Sequence, residues 1–297
     1  MIRTFLQILF SSTILLWCSL AATAETDGTP AIDRKAKPMI DLSNAEAVRT
    51  YRPFLIAHRG GVLAPGAPEC SLAAMHLAAE HGYRMVEIDA QEAKDGEPVV
   101  YHDRTLTRSC GVDKTIRELT SDEARAIVYR ASDQHIATLD EAFALARSLN
   151  LWVMVDIKTS VEPPNTERFF KRISELLEKH GLARSTVILS GQRHVQDQLF
   201  GKAVFRVTRE EFRKVQDGEA VNLKGKYWFS LPEDLPSEMV TKLQQSGALV
   251  VAAINTFRYP AHAHLELAGQ DVERLLEAGA DGFQIDSVYE DLFAGKR

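Results

Sequence analysis

The stretch Phe54-Leu55-Ile56-Ala57-His58-Arg59-Gly60-Gly61 decides the fold. Its apolar start reads as a strand, Phe54–His58. The strand runs into a His-Arg-Gly-Gly corner, not a glycine-rich phosphate loop. That weighs against a dinucleotide-binding or P-loop sheet, where backbone amides at this turn cradle phosphate. Outward from this stretch, short apolar runs alternate with longer amphipathic ones. The other predicted strands are Met85–Asp89, Val99–His102, Leu151–Ile157, Val187–Ser190, Val204–Val207, Tyr227–Ser230, Leu249–Ile254 and Phe283–Ile285. Helical patterning falls between them at Leu72–His81, Leu139–Ser148, Thr166–His180, Ser237–Ser246 and Ala268–Ala278. Ser71 and Gly181 supply start and stop signals for two of these helices. Such alternation predicts an α/β protein with a parallel sheet. The span fits the ~250 residues of a closed barrel, so a single (β/α)8 TIM barrel over residues 53–297 is expected.

The 297 residues carry 35 Lys+Arg against 41 Asp+Glu, a formal charge of −6, and are 45% hydrophobic. This composition argues against disorder. It also argues against a nucleic-acid partner held by a broad basic surface. An anionic substrate must then be drawn by a few placed cations or a metal. Three cysteines are too few for a disulfide framework or a structural zinc site.

The amino terminus reads as an address. Met1-Ile2-Arg3 precedes an apolar stretch from Phe5 to Leu20, and Ala22-Thr23-Ala24 offers a small-residue exit. A secretory signal peptide over residues 1–24 is expected, hence an exported chain, periplasmic or secreted, with no stable membrane span after cleavage. An uncleaved anchor and a lipid on Cys18 are the weaker readings; Trp17 fits poorly before a lipidated cysteine. Residues 25–52 read as a linker and a short helix. Cys70 and Cys110 would remain in an oxidising compartment, where they could pair.

Distinctive polar residues collect where the predicted strands end: His58-Arg59, Glu87 and Asp89, His102-Asp103, Asp156 and Lys158. Strand side chains alternate faces, so Glu87 and Asp89 share one face, as do Asp156 and Lys158. Three carboxylates in one barrel mouth repel unless a cation lies between them. Oxygen-only ligation suits one hard divalent cation, Mg²⁺ or Ca²⁺. Two histidines suit proton transfer at neutral pH, and Arg59 and Lys158 suit a phosphate. Together these residue types point to phosphodiester cleavage. Taken singly, each has a plainer reading as a hydrogen-bonded strand-end residue or a solvated acidic pair; their joint placement favours the site.

The segments Ala57-His58-Arg59-Gly60-Gly61, Ala67-Pro68-Glu69, Glu87-Ile88-Asp89, Asp95–Val100 and His102-Asp103 resemble the glycerophosphodiester phosphodiesterase family. Arg108, Thr138–Glu141, Ile157-Lys158 and Gly279–Gly282 continue the resemblance in order. It implies a TIM barrel that hydrolyses small-molecule glycerophosphodiesters to glycerol phosphate and an alcohol. By that resemblance His58 and His102 are general acid and base, in an order left open. Arg59 would bind the phosphate, Glu87 and Asp89 would hold the metal, and Glu69 would stand in the surrounding polar shell. A glycerol hydroxyl would attack phosphorus before water completes hydrolysis.

Three departures stand out. Asp156 occupies a metal position where the family usually has glutamate. Cys70 follows Pro68-Glu69 where asparagine is usual, and a thiol lacks an amide's hydrogen-bonding capacity. The interval from His102 to Thr138 leaves room for only a small cap, hence an open mouth. The Glu-Asp-Asp set also resembles phospholipases D of the sphingomyelinase D type, acting on lysolipids. A secreted protein that binds phosphodiesters without turnover is the alternative from a different class.

Overall fold

Parallel register between neighbouring apolar runs builds the sheet. The computed structural model describes residues 38–130, 132–159, 164–190 and 192–296, which fall in the unit Lys37–Arg297. The expected signal peptide and residues 25–37 of the expected linker lie outside the described residues. Ten strands are present among the described residues. They are β1 (Phe54–Ala57), β2 (Met85–Glu92), β3 (Pro98–Val100), β4 (Ala137–Thr138), β5 (Trp152–Ile157), β6 (Thr186–Ile188), β7 (Val204–Arg206), β8 (Lys226–Ser230), β9 (Leu249–Ile254) and β10 (Gly282–Ile285). Eight run parallel in the order β1-β10-β9-β8-β7-β6-β5-β2, and pairing of β1 with β2 closes the ring. With helices between the strands, this is the expected (β/α)8 barrel.

The predicted strand Val99–His102 is not one of the eight. It appears as β3, paired antiparallel with the far end of β2, and β4 pairs antiparallel with β3. The physical reason is the connection. A parallel neighbour needs a crossover of a dozen or more residues, whereas residues 93–97 make only a turn, with Gly96 at φ +80. The third strand of the barrel in chain order is therefore β5. Residues between β3 and β4 form a small cap with its own apolar cluster, including Tyr101, Leu106, Ile116, Leu119 and Tyr129.

Alternation along the strands sorts side chains into two layers. Phe54, Ile56, Met85, Trp152, Met154, Val187, Val204, Tyr227, Leu249 and Val251 fill the barrel interior as one buried cluster. Leu55, Ala57, Val86, Ile88, Val153, Val155, Val250 and Ala252 belong to the outer layer under the helices. Two of those helices begin as the sequence predicts: Leu72–Glu80 is capped by Ser71, and Glu167–Lys179 by Thr166. Each cap's side-chain oxygen satisfies an amide that has no partner within the helix.

The segment before β1 closes the amino-terminal end of the barrel. Leu42 and Val48, the latter on the helix Ala45–Arg49, join the interior cluster. Asp281, fully buried just before β10, ties this segment down. It accepts from Arg49 Nε at 3.1 Å, from Arg52, from Gln244 Nε2 at 3.1 Å and from the Val250 amide at 2.8 Å. No helix among the described residues is long and apolar enough to cross a membrane.

Removing one member of a buried charged network strands the donors aimed at it. Asp281→Ala is therefore expected to lower the unfolding free energy by about 3 kcal/mol, read from urea denaturation. An unchanged urea midpoint would show that Asp281 does not anchor this segment.

Candidate active site

Period-two alternation along β2 and β5 gives the site its floor. On β2, Met85 faces the apolar interior, so Glu87 and Asp89 share that face nearer the carboxyl end. On β5, Trp152 and Met154 face inward, and Asp156 comes next on that face. The register places Asp89 opposite Asp156. Oxygens of Glu87, Asp89 and Asp156 lie within 4.8 Å of one another. Glu87 and Asp89 are only 2% and 1% exposed.

Lys158 bridges two of these acids, with Nζ 2.6 Å from Asp89 Oδ1 and 2.6 Å from Asp156 Oδ2. Burial works against the lysine's charge, and the two aspartates outweigh it, raising its pKa. Burial also pushes Glu87 well above the usual carboxylate range, reinforced by Asp89 and Asp156. The Arg59 amide and Lys158 oppose that shift. One ammonium against three carboxylates leaves the cluster net negative. Its donors are all oxygen, so the residues present fit a hard divalent cation. A second trio, Glu69, His102 and Asp103, is equally compact, but Arg59 and Arg108 already neutralise its acids. The first trio is the better metal site.

A sharp corner after β1 sets His58 and Arg59. Arg59 sits at φ +53, followed by Gly60 at +79 and Gly61 at +85. A β-carbon on Gly60 would meet Ala74 at 3.4 Å, and positive φ adds strain for any side chain there. The corner aims the Arg59 amide at Glu87 Oε2, 2.8 Å away. Cys70, also in the left-handed region at φ +61, donates its amide to the Arg59 carbonyl at 2.7 Å. Its thiol lies 3.4 Å from Asp89 Oδ2, so it makes one of the contacts an asparagine amide would offer. Burial, with the charges of Asp89 and Glu87, pushes that thiol up and keeps it a donor. Cys70 and Cys110 are both free thiols; the pairing considered from sequence is not made.

Each histidine holds a carboxylate at Nδ1. His58 Nδ1 is 2.6 Å from Asp286 Oδ1, and the Asn255 amide lies 3.1 Å from the same nitrogen. His58 Nε2 faces the acids, 4.0 Å from Glu87 Oε2. His102 Nδ1 is 2.8 Å from Asp103 Oδ1. Although His102 follows a hairpin strand, Gln91 on β2 fixes its loop by donating to the carbonyls of Tyr101 and Asp103 at 2.7 and 2.8 Å. His102, Asp156, Lys158 and Gln91 line one cleft of about 930 Å³.

His58, Arg59, Glu69, Glu87, Asp89, His102, Asp103, Asp156 and Lys158, all singled out from sequence, gather at this end of the barrel. Their connections were not foreseen. Arg59 Nη1 is 2.9 Å from Glu69 Oε2, and Glu69 also accepts from Arg108, which pairs with Asp103. Glu69 thus links Arg59 to the His102 loop. Asp286 and Asn255 went unnoticed. The available signal was position, since each comes directly after a predicted strand, beside the strand-end positions of the recognised residues.

The Glycerophosphoryl diester phosphodiesterase family model matches residues 58–290. Glycerophosphodiester phosphodiesterase 1 of Mus musculus is 36% identical over 115 residues, covering 36% of this chain and 34% of its own. The chain thus spans about a third of the length of that curated relative. The probable glycerophosphodiester phosphodiesterase 1 of Mycobacterium tuberculosis (strain H37Rv) is 28% identical over 176 residues, 56% of this chain and 63% of its own. Among solved structures, a glycerophosphoryl diester phosphodiesterase from Parabacteroides distasonis matches with a TM-score of 0.66 and 19% identity, covering 87% of this chain and 93% of that one. An Oleispira antarctica phosphodiesterase in complex with the product sn-glycerol-3-phosphate matches with a TM-score of 0.63 and 20% identity, over 84% and 98%. At these identities the structural likeness is one of fold.

Asp286 carries a measurable signature. Burial favours its neutral form, but hydrogen bonds from His58 and the Thr256 amide, with the charge of His58, hold it at about 2 against an ordinary 3.8. A depressed carboxyl stabilises the fold above its unfolded pKa, and that contribution fades as pH falls through the folded value. Asp286→Asn is expected to cost about 2 kcal/mol at neutral pH, with the gap to wild type narrowing between about pH 4 and pH 2. Urea titrations at several pH values read this out; a gap that does not vary with pH would contradict it.

Proposed function

The chain belongs to the glycerophosphoryl diester phosphodiesterase family, and from that premise we propose that it is an exported, divalent-metal-dependent enzyme hydrolysing glycerophosphodiesters to glycerol 3-phosphate and an alcohol. The observation that carries the reading is the approach of His58 Nε2 to the buried Glu87, which clusters with the buried Asp89 and the partly exposed Asp156 at the mouth of the barrel. Glu87, Asp89 and Asp156 would hold the cation, which when bound supplies charge neutralisation at the phosphoryl oxygens. Mg²⁺ and Ca²⁺ both suit this donor set.

The chain's own residues do the rest. Asp286 accepts from His58 Nδ1–H and so leaves Nε2 to exchange a proton at the reacting centre. Asp103 holds His102 in the same way. One ring takes the proton of the attacking glycerol hydroxyl, and the other gives a proton to the departing alkoxide. Water, its proton taken by the second ring, then opens the cyclic phosphate to glycerol 3-phosphate as the first ring returns its proton to the freed glycerol oxygen. Lys158 presents an ammonium beside the acids, and Arg59, braced by Glu69, presents a guanidinium; both complement the diester's negative charge. A signal peptide over residues 1–24 would carry this chemistry outside the cytoplasm.

With glycerophosphocholine as substrate, His58→Ala and His102→Ala are each expected to lower kcat/KM by about 10²- to 10⁴-fold. Chelator should abolish turnover. Full activity of the double histidine variant in chelator would overturn the mechanism. Cyclic phosphate released from a lysolipid, without glycerol 3-phosphate from glycerophosphocholine, would favour the phospholipase D reading that the Glu-Asp-Asp set suggests.

Two further measurements are independent of activity. Mg²⁺ or Ca²⁺ should raise the thermal midpoint of the wild type and leave that of Asp89→Asn unmoved. Intact mass of the protein recovered from the producing cell should correspond to a chain starting at Glu25; retention of Met1 would refute export by cleavage.

A further inference from the structure

The row of residues that carries the acids across the rim continues to an arginine that the proposed chemistry does not use. Val155 pairs with Ile188, and Ile188 with Phe205. The next row therefore runs Asp89, Asp156, Leu189, Arg206. Two strand spacings, about 10 Å, separate the backbones of Asp156 and Arg206. Electrostatics link them as well. The Tyr227 phenol inside the barrel is raised chiefly by burial, and it feels Arg206 on one side and Asp156 and Glu87 on the other.

Arg206 is costly to keep. Its guanidinium lies 4.7 Å over the Trp228 ring, which stacks on Phe212 at 4.0 Å. Its Nε is buried without a hydrogen-bond partner, and it forms no ion pair among the described residues. Burial works against its charge, and Arg209 adds like charge, while Tyr227 and Asp234 offset this only in part. The stacking contact recovers some of the lost hydration, but a half-buried cation with no ion pair among the described residues remains unfavourable. Arg206 opens into a cleft of about 360 Å³ that it lines with Gln192, Val207 and Arg209. Gln192 also donates to Thr159 Oγ1 at 2.6 Å, and Thr159 lines the cleft of His102 and Lys158. The two clefts are neighbours.

We propose that Arg206, with Arg209 and Gln192, is a second anion site that receives a carboxylate or phosphate monoester on the leaving alcohol of the diester. A guanidinium set over an indole ring, as Arg206 is over Trp228, keeps its terminal N–H groups for bidentate pairing with such a group. The two strands stand about 10 Å apart, and the guanidinium lies on the Trp228 side of its strand, so the head group itself must span that interval. This proposal rests on the diesterase reading and adds substrate choice to it.

Glycerophosphoserine and glycerophosphoethanolamine differ only by a carboxylate, and a glycerophosphodiester ending in a phosphate monoester tests the other anion. Wild-type kcat/KM is expected to favour one or both anionic substrates by about 10-fold or more, the range for hydrogen bonds to a charged group. Whichever substrate is favoured identifies the anion. Arg206→Met, which keeps the apolar stem on Trp228, should erase that preference through KM. It should leave glycerophosphoethanolamine within about twofold, a split that loss of a purely structural contact would not produce. Equal wild-type rates on all three substrates would overturn the proposal. So would an Arg206→Met variant that loses all three alike. If that variant does not fold, the wild-type comparison decides alone. Should no diester be turned over, the diesterase reading fails separately. The anion site is then tested by equilibrium binding of glycerophosphoserine against glycerophosphoethanolamine.

Discussion

Like charge held at close range is the constraint around which the upper end of this barrel is arranged. Glu87, Asp89 and Asp156 stand within 4.8 Å of one another, and two of them are buried from water. Such a cluster persists only if something positive is held there with it. Lys158 answers part of the demand, the Arg59 amide answers another part at Glu87, and the Cys70 thiol touches Asp89. The strained corner at Arg59 and the unusual backbone at Cys70 are both explained by this: each directs a donor at the acids. Backbone strain gathered at one place in this way is a common mark of a site and not of a scaffold.

A second layer turns isolated side chains into positioned ones. Asp286 and Asp103 hold the two histidines by the same nitrogen, leaving the other for the proposed proton transfers. Glu69 joins Arg59 to Arg108 and through Asp103 to His102, so the two flanks of the mouth are mechanically linked across the cap. The acid cluster and this network meet at Arg59, whose backbone serves one and whose side chain serves the other. At the opposite end of the barrel, Asp281 performs a purely structural version of the same task, gathering two arginines and a backbone amide in a buried place.

The site was legible where chemistry and periodicity coincide. Glu87 and Asp89 are two apart on an apolar strand, so strand geometry alone gives them a shared face. Asp156 and Lys158 obey the same rule. Asp286 and Asn255 were missed because a single polar residue after a strand is ordinary until its neighbour across the barrel is known. Asp286 acquires its role only when β10 pairs with β1 and sets it against His58, far away in sequence. The misassigned strand at Val99–His102 has the same origin: its composition is that of a barrel strand, and only the short turn before it, too short for a crossover, makes it a hairpin.

The sequence by itself determined the fold class, the family, the acid cluster and the two histidines, because those depend on local periodicity and on residue types recurring at strand ends. The tertiary structure alone decided what stands against each of them: Asp286 behind His58, Glu69 between two arginines, free thiols at Cys70 and Cys110, and Arg206 in the row of Asp156 with no ion pair among the described residues. Partnerships of that kind join residues brought together by barrel closure. Closure is a matter of register between strands distant in the chain, and no local pattern encodes it.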